Sequence, residues 1–409
     1  MTVRTLAGSA WLDSPPLRRV LAVLDGEGEE VRLVGGAVRD ALLGRPAGEV
    51  DLATTAHPAE VMRRARGAGL KAIPTGIEHG TVTVVADGIG FEVTTLREDV
   101  ETDGRHAVVR FGRDWRADAL RRDFTMNALY AGRDGEVIDF VEGLADLDAG
   151  RVRFIGDAEA RIREDHLRIL RLFRFHAGYG RGAMDPAALR AALRQREGMA
   201  RLSRERIGRE IIKLLKAPRA PDTVRLMSET GFLNRVLGGI GHLSALDRMA
   251  RLEETLEEPL CALRRLGAVG VRIVEDADRL RERLRLSNSE HGRLMGMAQA
   301  GPMPSSPADA RRLIYDRGAL GAQDVILQAA ARDEESAVAA GAALRVVRTW
   351  LVPKSPFRAA DLQARGISPG PHLGAVLRRA ESLWRALDFP DEMETVENIL
   401  STVLAERGG

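Results

Sequence analysis

The chain has 409 residues and nearly balanced charge, with 61 Lys and Arg against 59 Asp and Glu. This length exceeds what one hydrophobic core usually supports, so roughly two to four domains are expected, and a net charge of +2 neither indicates nor excludes a nucleic-acid partner. The single cysteine, Cys261, excludes an intrachain disulfide, and no apolar run of about 18 residues could cross a membrane, so we expect a protein of the cytoplasm.

The first informative segment is a glycine turn followed by two acids. Gly35 and Gly36 have no Cβ, so the backbone can approach a triphosphate, and the N–H groups that begin the next helix favour an anion. Glu49 and Asp51 follow on a predicted strand, on the same side because side chains alternate. Two such carboxylates suit Mg²⁺, which completes its shell with phosphates and water. Taken alone, however, the glycines favour an ordinary loop with solvated acids nearby.

A third acid lies in Gly80–Arg97, whose two β-rich halves meet at Asp87-Gly88, a strong hairpin signal. Glu92 sits there among β-branched and aromatic residues, where an acid either faces solvent or is a ligand. For an isolated acid the solvent-facing interpretation is favoured. Together with Glu49 and Asp51, Glu92 could complete a carboxylate cluster for two metal ions that activate a hydroxyl and neutralise a leaving pyrophosphate.

The segment Ala119–Leu129 places two arginines before an acid and an amide. Arg121 and Arg122 could hold a triphosphate by bidentate hydrogen bonds. Asp123 and Asn127 could accept from and donate to ribose hydroxyls, and at this spacing they would share one face of a helix. The alternative is a surface Arg-Asp pair that contributes little, and spacing alone does not decide.

A further charged pattern occupies Arg163–Arg174. In a helix, Asp165, Arg168 and Arg171 would follow one another along one side, opposite apolar residues that pack inward. A carboxylate and a guanidinium could hydrogen-bond the Watson–Crick edge of a nucleobase. On its own, an Asp-x-x-Arg pair is more often an ion pair on a helix surface.

The hydrophobic pattern divides the chain in two. Residues 31–141 alternate apolar strands with short helices, which is typical of a small mixed-sheet α/β domain. From about residue 157 the apolar residues follow helical spacing almost throughout, interrupted by Pro- and Gly-rich breaks. We therefore predict an α/β head, a small mixed β-sheet with helices, followed by an all-α C-terminal region.

In this order the motifs resemble the class II tRNA nucleotidyltransferase and bacterial poly(A) polymerase family, within the DNA polymerase β superfamily. The resemblance covers about the first 240 residues, and five ordered motifs are far more specific than any one of them. The segments that carry it are 33–55, 92–105, 121–129, 139–147 and 164–174, with the later helix 203–215.

The resemblance implies a catalytic, metal-binding set made of Asp51, Glu92 and, less securely, Glu49, which stands where the family has a shorter aspartate. Asp165 and Arg168 match the pair that reads the incoming base in place of a template. The other expected nucleotide contacts are Gly35, Gly36, Arg39, Arg121, Arg122, Asp123, Asn127 and Arg171. Residues 97–105 resemble the flexible loop that helps to switch from CTP to ATP, with Arg97, Asp99, Asp103 and Arg105 as its charged members.

The implied activity is template-independent addition of CMP and AMP, from CTP and ATP with two Mg²⁺ ions, to the 3′ end of tRNA. The segment Thr75–Val84 resembles the CCA-adding members, and poly(A) polymerases typically carry a basic segment there. Poly(A) or A-only addition is the second candidate. An RNA-binding protein with an inactive transferase head is the third, and the departure at Glu49 is its only support.

The resemblance and the hydrophobic pattern together suggest four parts. We expect an N-terminal helical segment in 1–30, the catalytic head in 31–141, a helical neck that recognises the base in 142–237, and a helical body and tail in 238–409. The last part is the candidate for contacts with the acceptor arm of tRNA, through backbone shape and phosphates. We predict no membrane partner, and the sequence does not predict an oligomeric state.

Overall fold

The computed structural model describes residues 4–103, 106–333 and 337–406, without the side chains of 98–103, 106–109 and 333. The chain divides into two compact units, one that ends at Phe232 and one that begins at Leu233. The first unit contains the sheet, and the second is helical in its described residues.

The first unit combines strands and helices, as predicted for the α/β head. Its strands are β1 (Val31–Val34), β2 (Asp51–Thr54), β3 (Lys71–Gly76), β4 (Thr81–Ala86), β5 (Ile89–Thr95), β6 (Arg97–Asp103), β7 (His106–Phe111), β8 (Leu129–Ala131) and β9 (Val137–Asp139). Its helices are α1 (Pro15–Leu24), α2 (Gly36–Leu42), α3 (Pro58–Gly67), α4 (Trp115–Leu120), α5 (Gly143–Ala149), α6 (Ala158–Glu164), α7 (Leu167–Tyr179), α8 (Pro186–Arg194), α9 (Arg204–Leu215) and α10 (Ala220–Glu229).

Seven of these strands form one mixed sheet in the order β3-β4-β5-β2-β1-β8-β9, and β6 pairs with β7 in a separate hairpin. The predicted turn between β4 and β5 has positive φ at both central residues, 49° at Asp87 and 81° at Gly88, as a tight hairpin turn requires. Strand β5 then runs parallel to β2, which places Glu92 opposite Asp51. Their neighbours Leu52 and Val93 are fully buried. Because successive side chains of a strand point to opposite faces of the sheet, the carboxylates of Asp51 and Glu92 lie on the face opposite to Leu52 and Val93.

The second unit confirms the predicted all-α C-terminal region. Its helices are α11 (Phe232–Leu237, which spans the division), α12 (Leu243–Thr255), α13 (Ala262–Gly270), α14 (Val274–Leu284), α15 (Asn288–Ala298), α16 (Pro307–Asp333), α17 (Ala337–Thr349), α18 (Ala359–Ala364), α19 (Pro371–Ala386) and α20 (Met393–Ala405). Helix α16 is interrupted at Gly318, where φ is +70°. In the part of the chain that the structure describes, every helix is too short or too polar to span a bilayer.

Helix α7 packs its apolar side into the first unit through Ile169, Leu170 and Phe173, which are fully buried. His176 lies near the end of the same helix and is only 5% exposed. Burial, with a smaller effect of Arg219, lowers the pKa of His176 to about 4.

The buried His176 predicts acid sensitivity of the fold. Its pKa is lower in the folded than in the unfolded chain, so the unfolded chain binds the extra proton between about pH 6.5 and pH 4. Stability should therefore fall as pH falls through this range, with up to about 1.4 kcal/mol per pH unit from this residue. Urea denaturation of the wild type and of His176→Gln across this range measures the effect.

The expected result is a shallower pH dependence in His176→Gln than in the wild type. Replacing the exposed His372 with glutamine is the matched control and should leave the slope unchanged. Equal slopes in the wild type and His176→Gln would contradict this assignment.

Candidate active site

The acids Asp51 and Glu92 come together on neighbouring strands, as their directly opposed positions in β2 and β5 show. Partial burial and the charges of Glu92 and Glu49 raise the pKa of Asp51 to about 6, while Arg122 acts in the opposite direction. Glu49 is therefore close enough to influence Asp51, but it lies in a bend before β2. The prediction that Glu49 shares the strand with Asp51 was wrong, because the extended pairing begins only at Asp51.

The donor set fits a hard divalent cation that is also bound by a substrate. Among the described residues, no three His, Cys, Asp or Glu side chains converge to hold an ion by themselves. Mg²⁺ commonly takes one or two carboxylates and completes its shell with phosphates and water. In the same part of the chain, the carboxylates of Asp51, Glu92 and Glu49 have no hydrogen bond or ion pair, so their mutual repulsion would be relieved by a cation.

The glycine turn lies beside the Arg122 guanidinium. Gly35 has φ 73° and ψ −121°, a conformation that an L side chain rarely adopts. A Cβ built there would lie 3.7 Å from the Asn127 carbonyl oxygen and 3.9 Å from Arg122 Nη1. The turn therefore brings the backbone close to a cationic group, as a bound triphosphate would require.

The expectation that Asp123 and Asn127 share one face of a helix was wrong. Helix α4 ends at Leu120, and Thr125–Asn127 form a separate short 3₁₀ turn. The carbonyl oxygens of Arg121 and Arg122, just after α4, accept hydrogen bonds from the Arg161 side chain. Asp123 and Asn127 nevertheless meet, because Asn127 Nδ2 donates to Asp123 Oδ1 at 3.0 Å.

Asp123 and Asn127 belong to a line of hydrogen bonds across the site. Arg171 donates to Asp123 Oδ2 from Nε at 2.7 Å, and Arg39 Nη1 donates to Asn127 Oδ1 at 2.6 Å. Burial alone would raise the pKa of Asp123, but Arg171 and Asn127 bring it below its usual value. The Arg39 guanidinium is also held by Asp40 and lies over the Tyr179 ring at 4.0 Å. Arg39 thus fixes Asn127 from a buried position.

Asp165 and Arg168 differ from their predicted arrangement on one helix. Asp165 is extended, with φ −151°, and ends α6, whereas α7 begins at Leu167. Its Oδ1 accepts from the Leu167 N–H, and its Oδ2 accepts from Arg206 Nη2 at 2.6 Å. Arg168 Nη1 is held by the Arg161 carbonyl oxygen at 2.7 Å and by Glu164. Asp165 is therefore positioned by α9 and the start of α7.

These groups surround an open cleft of about 530 Å³ in the first unit. The predicted residues that line it are Gly35, Gly36, Arg39, Asp51, Arg121, Arg122, Asp123, Asn127, Asp165, Arg168 and Arg171. The predicted Glu49 and Glu92 are not among its lining residues. Arg174, Phe175 and Arg206 also line it and had no predicted role, and Leu167 lines it although it was expected among the apolar residues that pack inward.

The missed residues had partial signals in the sequence. Arg174 continues the helical spacing of Arg168 and Arg171, and its guanidinium packs over the Phe175 ring at 4.2 Å. Arg206 lies in the later helix motif, one turn after the Ser203 cap. Its contact with Asp165 depends on the packing of α9 beside α7, which sequence spacing does not reveal.

The segment predicted as a flexible loop forms strand β6, which pairs with β7 in the hairpin. The Arg97 backbone N–H lies 3.4 Å from Asp118 Oδ1, at the base of this hairpin. Asp99 and Asp103 lie on β6, but their side chains are outside the described part, and Arg105 lies outside the described residues.

Comparison with known proteins decides the family. Residues 31–153 match the model of the poly A polymerase head domain, and residues 183–241 match the model described as the probable RNA and SrmB-binding site of polymerase A. The mitochondrial CCA tRNA nucleotidyltransferase 1 of Mus musculus is 33% identical over 395 residues, which cover 92% of this chain and 88% of the relative. The chain belongs to the CCA-adding enzyme and poly(A) polymerase family of nucleotidyltransferases.

Other members agree with this assignment. The CCA-adding enzyme of Geobacillus thermodenitrificans is 41% identical over 232 residues, which cover 55% of this nucleotidyltransferase and 56% of the relative. The solved CCA-adding enzyme of Bacillus stearothermophilus in complex with CTP has a TM-score of 0.75 and 29% identity, and the match covers 97% of this chain and 99% of that one. The similarity to this structure extends over the head and the helical region.

Proposed function

We propose that this nucleotidyltransferase adds CMP and AMP, from CTP and ATP, to the 3′ end of tRNA. The observation that carries the chemistry is the register of β2 and β5, which sets two carboxylates directly opposite each other, and neither of them forms an ion pair in the described part of the chain. Asp51 also lines the arginine-rich cleft. The relatives named CCA tRNA nucleotidyltransferase and CCA-adding enzyme support the choice of nucleotides and of tRNA.

The carboxylates of Asp51 and Glu92, with Glu49 nearby, would hold two Mg²⁺ ions. When bound, the ions would supply charge neutralisation at the triphosphate and a lower pKa for the attacking hydroxyl. The Asp51 carboxyl lies in a negative environment, which favours cations and disfavours phosphate unless a cation is present. Arginines and the glycine turn would then meet the phosphates. Arg122 Nη1 lies 3.9 Å from where a Cβ on Gly35 would be, and Arg39 Nη2 lies 3.8 Å from where a Cβ on Gly36 would be.

The remaining predicted residues would orient the nucleotide. Asp123 and Asn127, fixed by Arg171 and Arg39, present polar atoms to ribose hydroxyls. Asp165 and Arg168 offer an acceptor and donors to the edge of a base. In the reaction, a bond forms between the RNA 3′ oxygen and the α-phosphorus, the bond from that phosphorus to the bridging oxygen breaks, and pyrophosphate leaves with the electron pair. The hydroxyl proton passes to solvent.

Arg168 should control the choice of nucleotide more than its affinity. Arg168→Ala removes a donor to the base edge, so the ratio of kcat/KM values for CTP and ATP should move toward one by about tenfold or more. Inhibition by pyrophosphate, which has no base, should change little. Steady-state kinetics with each nucleotide on tRNA primers measures both. Unchanged discrimination would remove Arg168 from base recognition.

The activity is tested with tRNA that lacks its terminal CCA, supplied with Mg²⁺ and each labelled nucleotide separately or together. Incorporation of CMP followed by AMP, stopping at CCA, is the expected result. Long A tails would indicate a poly(A) polymerase, and AMP only after an existing CC end would indicate an A-adding enzyme. RNA binding without incorporation would instead favour a binding protein with an inactive head.

We also propose that the enzyme works in the cytoplasm. A reducing compartment suits its one cysteine, Cys261, which is free. Fractionation of the native host, with the protein detected by antibody, tests this location. Recovery in an organelle would contradict it.

A further inference from the structure

The Arg122 guanidinium has one side bound to protein and one side directed at the glycine turn. Its Nε and Nη2 donate to Asp118 Oδ2 at 3.2 and 3.0 Å, and Nε also donates to the Tyr130 hydroxyl at 3.1 Å. Nη1 has no partner among the described residues and lies 3.9 Å from where a Cβ on Gly35 would be. The free edge therefore faces the backbone that a triphosphate would approach.

The group that holds Arg122 is a buried carboxylate. Asp118 is only 2% exposed, and its Oδ2 also accepts from the Tyr130 hydroxyl at 2.8 Å. Tyr130 is fully buried, and burial raises the pKa of its hydroxyl, which stays protonated and donates. Asp118, Tyr130 and Arg122 thus form a closed triangle of hydrogen bonds, which leaves the guanidinium little freedom to rotate.

The second oxygen of Asp118 contacts other parts of the site. Oδ1 lies 3.4 Å from the Arg97 backbone N–H, at the base of the β6–β7 hairpin, and 3.5 Å from Arg121 Nη1. One carboxylate therefore joins α4, the start of the hairpin and the two adjacent arginines of the cleft. Asp118 does not line the cleft itself, so any effect on a nucleotide must act through the groups that it holds.

We propose that Asp118 is a positioning residue for nucleotide binding, which together with Tyr130 aims the free edge of Arg122 at the triphosphate beside the glycine turn. The proposal rests on the proposed function in one respect, that the cleft takes a nucleoside triphosphate. Fixing a guanidinium in advance reduces the freedom lost on binding, so a bound phosphate gains more from each hydrogen bond.

Two roles for Asp118 lead to opposite results. If Asp118 only balances the charge of Arg122, its neutralisation leaves the cleft more positive, and a triphosphate should bind more tightly. If Asp118 positions Arg122, its neutralisation releases the guanidinium, and the triphosphate should bind more weakly. Asp118→Asn distinguishes these roles because it removes the charge with little change in size.

The experiment compares Asp118→Asn and Tyr130→Phe with the wild type. For Asp118→Asn we expect the KM values for CTP and ATP and the inhibition constant for pyrophosphate to rise together by about tenfold to a hundredfold, with kcat reduced much less. Tyr130→Phe leaves every charge unchanged and should raise the same constants by about threefold to tenfold. The KM for tRNA should not change. Asp148→Asn, which removes an exposed acid paired with Arg4, is the matched control and should behave as wild type.

A KM for nucleotides that falls or stays constant in Asp118→Asn would overturn the proposal, as would normal kinetics in Tyr130→Phe. If Asp118→Asn does not fold, as judged by circular dichroism, Tyr130→Phe alone decides. Titration calorimetry with CTP separates a failure of this proposal from a failure of the proposed function. An inactive wild type that binds CTP, and binds it more weakly after Tyr130→Phe, would refute the activity but support the role of Asp118.

Discussion

Asp51→Asn should reduce incorporation of CMP and AMP by about a thousandfold or more while tRNA binding stays close to that of the wild type. The loss is expected because, under the proposed function, Asp51 is one of the two opposed carboxylates that would hold the divalent cations, and the charge stabilisation that such ions would supply is worth several kcal/mol. Single-turnover incorporation and a filter-binding assay measure the two quantities. Turnover near the wild-type rate would count against the metal assignment.

The same variant should fold at least as well as the wild type. Its neighbours Glu92 and Glu49 repel the Asp51 carboxylate, and asparagine removes that repulsion. A thermal midpoint equal to or above that of the wild type would therefore show that lost activity is not caused by unfolding. Asp87→Asn is the matched control, because it removes an acid from the exposed β4–β5 turn of the same sheet, and it should remain active.

Asp324→Ala should strongly destabilise the helical unit, with an expected loss of about 3–5 kcal/mol in the free energy of unfolding. Asp324 is 3% exposed, and its Oδ1 accepts from Arg264 Nε at 3.1 Å and from Arg293 Nη2 at 2.9 Å. Arg264 is itself 3% exposed, and one of its Nη atoms already has no hydrogen-bond partner. Removing Asp324 would leave a buried cation without its closest acid.

The control for this prediction is another acid of α16, Asp316, which pairs with Arg385 at a partly exposed position. Asp316→Ala should cost less than about 1 kcal/mol, because solvent screens such pairs. Urea midpoints of the two variants, followed by circular dichroism, provide the comparison. Similar midpoints would mean that the buried cluster contributes no more than a surface ion pair.

Much of the head could be predicted because its signals are local. Alternating apolar residues marked the strands, and Asp87-Gly88 marked the turn that returns β5 to the sheet. That turn and the resemblance together placed Glu92 near Asp51, and the parallel register shows the two directly opposed. These signals depend on residue type and spacing within a few positions, which a sequence displays directly.

The failed predictions share a cause that lies elsewhere in the chain. Helical spacing suggested that Asp123 and Asn127 lie on one helix, but α4 ends at Leu120, and the Arg161 side chain donates to the carbonyl oxygens of Arg121 and Arg122 just after it. Asp165 looked like a residue of α7, whereas its side chain accepts from the Leu167 N–H at the start of that helix. In each case a side chain hydrogen-bonds to backbone groups at a helix end, which helical spacing alone does not reveal.

Because β2 and β5 pair directly in parallel, the relative position of Asp51 and Glu92 does not depend on how many residues connect the two strands. Hydrogen bonds between the two strands, and not the number of intervening residues, fix the distance between the two carboxylates. Insertions between β2 and β5 that keep β5 in register should therefore be tolerated, whereas a slip of β5 by one residue would turn Glu92 to the opposite face. The pairing of these two strands, and not the size of the loops around them, is therefore what a variant of the head must preserve.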